Sequence, residues 1–161
     1  MNKLIIAVSM LGALCASPAS AELSTISTKT GTIAPPPQGS GQVVFFRTSV
    51  VGALLGCTAR ENDAELARLG VGKYYVVPLT PGVHTFSAKS IESKDKLRIE
   101  VEPGETYFVK CSIAMGFMSG HPKLSPSDEK TFADSASGLA AWAGPKPASG
   151  SAAAPAAAST N

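Results

Sequence analysis

The chain has 161 residues, 14 basic against 12 acidic, and is 44% apolar. That near-neutral balance, with no basic run and no acidic tail, leaves no electrostatic footprint for nucleic acid and no polybasic membrane patch. No apolar stretch reaches the roughly 20 residues that a membrane-spanning helix needs.

The first segment in chain order is a targeting signal. Lys3 supplies a positive n-region, Leu4 to Ala16 an apolar run of 13 residues, and Ala19-Ser20-Ala21 a small-x-small cleavage site. Together they predict a signal peptide over residues 1–21, cut after Ala21, and a periplasmic or extracellular protein with no membrane span. Cys15 is a poor lipid-anchor site, because Leu14 before it is large where lipoprotein signals place a small residue. Residues 22–41 are rich in Ser, Thr, Gly and Pro and include Pro35-Pro36-Pro37. They are expected to form a disordered leader with no core of its own.

The folded part is expected over 42–143, as one small domain. Gln42–Thr48 holds Val43, Val44, Phe45 and Phe46, an unbroken apolar run that predicts a strand covered on both faces. Leu55–Arg60 alternates, with Leu55, Cys57 and Ala59 on one side. Glu61-Asn62-Asp63 is turn chemistry. Glu65–Leu69 is weak, an edge strand or one helical turn. Tyr74–Leu79 and Val83–Ser90 read as strands on either side of Pro81-Gly82. Lys96–Val101 places Leu97, Ile99 and Val101 on one face and charged residues on the other. Thr106–Ala114 alternates again, with Tyr107, Val109, Cys111 and Ile113 on one face and Lys110 and Ser112 on the other. Residues 116–126 read as a long loop. Phe132 to Trp142 suggests a short helix with Leu139 and Trp142 on one side. Residues 144–161, almost all Ala, Ser, Pro and Gly, read as a disordered tail.

Six or seven short strands separated by turn signals predict an all-β sandwich. Pro81-Gly82 and Pro103-Gly104 each join two strands. Pro at the first central turn position and Gly at the second specify a type II turn, whereas tight two-residue hairpins prefer the primed types. Each Pro-Gly is therefore expected in a wider hairpin or an arch between sheets.

The order VVFFR, LGVGKYYVVPLTPGVHTFSAK, KLRIEVEPGETYFVKC and AMGFMSGHPKL resembles the bacterial secreted and lipoprotein-like domain of unknown function 2846, over Gly41 to Glu129. It is similar, more distantly, to PEGA-type and carboxypeptidase-regulatory-like β-sandwich modules. The resemblance implies an envelope location and a small prealbumin-like or immunoglobulin-like sandwich. It implies no activity, cofactor or catalytic residue.

After cleavage two cysteines remain, Cys57 and Cys111, 54 residues apart and both on the apolar face of their strands. In an oxidising compartment an even number reads first as a disulfide. The competing reading is two buried thiols too far apart to bridge. His84, two residues after Pro81-Gly82, falls at the rim of a strand and is expected to close the turn by hydrogen bonding. His121 lies in the expected loop. Cys57, Cys111, His84 and His121 match zinc ligand types but lack zinc spacing. No nucleophile elbow or phosphate-binding glycine loop is present. Tyr74 and Phe108 each have an aromatic neighbour pointing the other way, so an exposed one could belong to a binding face; the competing reading is that it packs under a loop or the terminal Leu139/Trp142 segment. The reading that results is a non-catalytic accessory module that binds an envelope protein or a glycan. The alternative is a metal-binding envelope protein using Cys57, Cys111 and His84.

Overall fold

The computed structural model describes residues 25–88, 95–115 and 120–144. The expected signal peptide at 1–21 and nearly all of the expected tail at 144–161 lie outside the described residues. Eleven strands and one helix follow in order: β1 (Ile26–Ser27), β2 (Thr32–Ile33), β3 (Gly41–Arg47), β4 (Cys57–Glu61), β5 (Ala64–Leu69), β6 (Lys73–Leu79), β7 (Gly82–Ala88), β8 (Lys96–Val101), β9 (Thr106–Met115), β10 (Gly120–Ser127), α1 (Glu129–Ala136) and β11 (Ala140–Ala141). Among the described residues they form a two-stranded sheet of β1 and β2, a five-stranded sheet ordered β10-β9-β3-β6-β11 and a four-stranded sheet ordered β5-β4-β7-β8. The expected all-β sandwich is what the chain adopts.

β3 sits at the centre of the larger sheet, antiparallel to β6 and parallel to β9. All seven of its residues are buried. Val43 and Phe45 point between the sheets, where Phe45 meets Phe86 edge-on at 5.2 Å. Val44 and Phe46 point the other way, into a second core made with Phe132 of α1, Leu139, Ile26 and Ile33. An apolar run without alternation is the pattern a strand needs when both its faces are covered.

That second layer corrects the leader. Residues 25–33 hold the β1–β2 hairpin, closed by Thr28 N–H donating to the Gly31 carbonyl at 2.7 Å. Ile26 and Ile33 are buried. Two isoleucines suffice to dock a stretch that is otherwise polar, because they cover the outer face of β3.

Two further expectations are corrected. The predicted 116–126 loop contains β10, paired with β9 from Gly120↔Met115 to Ser127↔Phe108. β10 is an edge strand, which is where prolines such as Pro122 and Pro126 can sit, since one flank of such a strand needs no donors. The helix starts earlier than expected and ends at Ala136. Asp128 caps it, accepting from Thr131 N–H at 2.8 Å. Leu139 and Trp142 lie beyond it and part company: Leu139 joins the second core, while Trp142 packs edge-on to Tyr75 at 5.5 Å against the first.

Both Pro-Gly pairs are arches, carrying the chain from β6 to β7 and from β8 to β9, between the sheets. Gly104, with φ +83°, occupies the third position of a type II turn closed by Glu105 N–H to the Glu102 carbonyl at 3.3 Å. Pro81-Gly82 differs: Gly82 has φ +138° and opens β7 directly. The tight β4–β5 hairpin turns on Asn62 and Asp63, with φ of 44° and 71°, the pair of positive values that a type I′ turn demands. Asp63→Gly relieves the Cβ clash and is expected to stabilise the domain by about 0.5 kcal/mol, read as a raised urea midpoint. A fall in the midpoint contradicts this.

Candidate functional site

Cys57 begins β4 in the smaller sheet and Cys111 lies in β9 of the larger one. Both are buried and joined as a disulfide, with Cα atoms 6.4 Å apart. Alternation had put both on core faces, and the sandwich sets those faces against each other. The sulfurs are therefore neither thiolate ligands nor nucleophiles.

His84 is half-buried near the β7 end of the sandwich, stacked on Phe86 with ring centroids 6.2 Å apart. Its Nδ1 lies 2.5 Å from Glu61 Oε1 and its Nε2 lies 2.9 Å from the Thr80 carbonyl oxygen. Both partners are acceptors, so satisfying both requires both ring nitrogens to carry protons. Burial alone would lower the His84 pKa. The hydrogen bonds to Glu61 and to the Thr80 carbonyl, with the Glu61 charge, outweigh it and raise the pKa above its ordinary 6.5. The histidine thus clamps the β6–β7 arch to the end of β4. A raised folded pKa adds stability that is complete below pH 6.5 and is lost as pH climbs through the folded value. His84→Gln is therefore expected to cost about 1 kcal/mol at pH 5.5 and less at pH 8.5, measured by urea unfolding at both. A cost that does not change with pH contradicts the clamp.

The alternative zinc set is not brought together. The cysteines are bonded to each other. His84 contacts Glu61, four residues along β4 from Cys57, or about 13 Å at strand rise. His121 lies in β10, opposite Ala114 of β9 in the other sheet. Among the described residues, no three His, Cys, Asp or Glu side chains group as a metal ion would require.

Tyr74 and Phe108 form no exposed binding face and take the packed alternative, in one cluster with Leu139. Both are buried, packed on Phe132 at 6.0 and 5.3 Å, and the Tyr74 hydroxyl is 3.1 Å from Thr28 Oγ1. The second layer that covers β3 covers them too, so neither offers a face to a partner. A groove of about 360 Å³ opens between the β8 and β10 edges, lined in part by Leu97, Ile99, Tyr107 and Pro126. Its lining holds no cysteine, histidine or lysine.

One residue escaped the sequence reading. Arg47 ends β3 fully buried. Its guanidinium donates to the carbonyls of Val51 at 3.1 Å, Gly52 at 2.8 Å, Leu69 at 3.4 Å and Leu55. Among the described residues no carboxylate pairs with it. Burial lowers its pKa, but a guanidinium stays charged regardless. The cue was available: Arg47 continues the inward parity of Val43 and Phe45. Its partners, all main-chain carbonyls, leave no mark in a sequence.

Residues 37–122, more than half the chain, match the family model described as Protein of unknown function (DUF2846). No curated protein matches the chain. Among solved structures, the N-terminal domain of AlgF from P. aeruginosa aligns over 57% of this chain and 98% of its own, at 16% identity and a TM-score of 0.39. At that distance it carries no argument. These matches do not extend support to the PEGA-type likeness.

Proposed function

From the chain's membership of the DUF2846 family of proteins of unknown function, which brings no activity with it, we propose a periplasmic or secreted accessory module that works by surface recognition. One observation carries the reading: the side chains best suited to chemistry hold the scaffold. Cys57 and Cys111 join the two sheets, and both nitrogens of His84 are committed to an arch. A disulfide in the core also suits an oxidising compartment. What remains for function is the outside of a rigid sandwich.

Photo-cross-linking in the native cell envelope tests this. A cross-linking residue is placed at Val83, Arg98 or Leu54, all exposed. A discrete protein or glycan adduct from one position, kept in a His84→Ala background, is the expected result. No adduct from any position, or loss of the adduct with His84, overturns the reading.

A further inference from the structure

The β3–β4 connection, Thr48 to Gly56, contains no charged residue. Four of the five exposed large apolar side chains among the described residues belong to it: Val50 at 73% exposure, Val51 at 46%, Leu54 at 99% and Leu55 at 43%. Single exposed apolar residues are ordinary, but four within six positions form a patch that calls for an occupant.

The loop is built rather than slack. Arg47 binds three of its carbonyls from inside, Leu55 N–H donates to the Gly52 carbonyl at 2.8 Å, and Val51 N–H donates to Ser49 Oγ at 3.2 Å. Gly52 has φ +63°, and a Cβ there would meet Ile113 at 2.8 Å, so the turn lies tight on β9. With these carbonyls and amides already bonded, the loop loses less on entering the boundary between headgroups and acyl chains, where water is scarce.

Charge is sorted along the strands. Near the loop, Lys73 pairs with Arg47, Lys110 with Phe46, and Arg68 with Thr58 while packing against Gly56. At the opposite end lie Glu61 and Asp63 of the β4–β5 turn, Glu102 and Glu105 of the β8–β9 arch, and Asp128 at the helix cap. The sorting has exceptions: Asp95, just before β8, is an acid on the basic half, and Arg60 beside Glu61 and Lys130 beside Asp128 are bases on the acidic half.

We infer that the Val50–Leu55 loop inserts into the surface of an anionic lipid bilayer, with Lys73, Lys110 and Arg68 facing the headgroups. This rests on the surface-recognition reading and names the surface. An apolar tip whose Leu54 is 99% exposed suits a fluid occupant that can close around it. The basic surround selects anionic headgroups, and the acidic end is held away from them.

The test uses the full chain with phosphatidylglycerol/phosphatidylethanolamine vesicles carrying brominated acyl chains. In a Leu54→Trp variant, emission should be quenched well beyond that of the native Trp142, which is the internal reference. A Val50→Ser/Leu54→Ser variant, unchanged in thermal melting, should lose about tenfold in vesicle binding, and 0.5 M salt should weaken binding several-fold. No extra quenching at position 54 overturns the inference. So does equal binding by the double serine variant, or self-association without vesicles that this variant abolishes. The cross-linking above detects a protein or glycan partner without vesicles, so either reading can fail alone.

Discussion

Reducing the Cys57–Cys111 disulfide, or replacing both residues by alanine, is expected to lower stability by about 4 kcal/mol. The loop it closes spans 54 residues of sequence, and in the chain-entropy account such a cross-link removes that much freedom from the unfolded ensemble. Small domains have only about 5–15 kcal/mol in total, so the loss is a large share. It should move the urea midpoint down by about 2 M at the slopes usual for this size. The bond also holds one sheet to the other, so its loss removes a native constraint at the loop end of the sandwich. Equilibrium unfolding with and without reductant reads the effect, and the double alanine variant should match the reduced protein. A change below about 1 kcal/mol would mean that the reduced chain keeps these strands together when unfolded.

Arg47→Met should cost about 3 kcal/mol. Two opposing terms decide the sign. Removing a buried cation that has no carboxylate partner among the described residues recovers its desolvation, which favours the variant. Against that, the carbonyls of Val51, Gly52, Leu55 and Leu69 lose a charged donor, and each such bond contributes about 1.5–3 kcal/mol. Several lost bonds outweigh one relieved charge. Arg47→Lys should recover little, because a compact ammonium cannot fork across carbonyls on both sides of the loop. Hydrogen exchange separates loop from core. The Leu55 amide, bonded to the Gly52 carbonyl, should lose protection in Arg47→Met, while β9 amides follow only the global change. A variant as stable as the parent sinks this account.

The strands that could be read beforehand were those with a single dominant environment. β8 alternates because one face is wet. β3 does not alternate because neither face is, and its continuous VVFF run says so. β10 was misread because an edge strand can carry glycine and proline, the residues that mark loops elsewhere. The β1–β2 hairpin was misread because Ile26 and Ile33 are isolated among Ser, Thr and Gly, and their value lies in what they cover. The cysteine pairing was approachable, since parity put both sulfurs inward, but whether they met depended on how the sheets stack. Placing His84 at the rim was within reach of the sequence. Its partner Glu61, on a different strand, was not. Arg47 was hidden because main-chain acceptors carry no residue identity.

The position of β3 has a kinetic consequence. Its next strand in the chain, β4, belongs to the other sheet, so β3 finds no partner nearby. One neighbour, β6, lies about 30 residues on, and the other, β9, pairs at a separation of 64. Contacts that distant make folding slow, in the range of milliseconds to seconds. Meanwhile Val43 to Phe46 stays uncovered and open to aggregation. The 57–111 cross-link encloses most of the intervening chain, so an oxidised unfolded molecule has less to search. Refolding should be faster, and cleaner at high concentration, with the bond intact than after reduction.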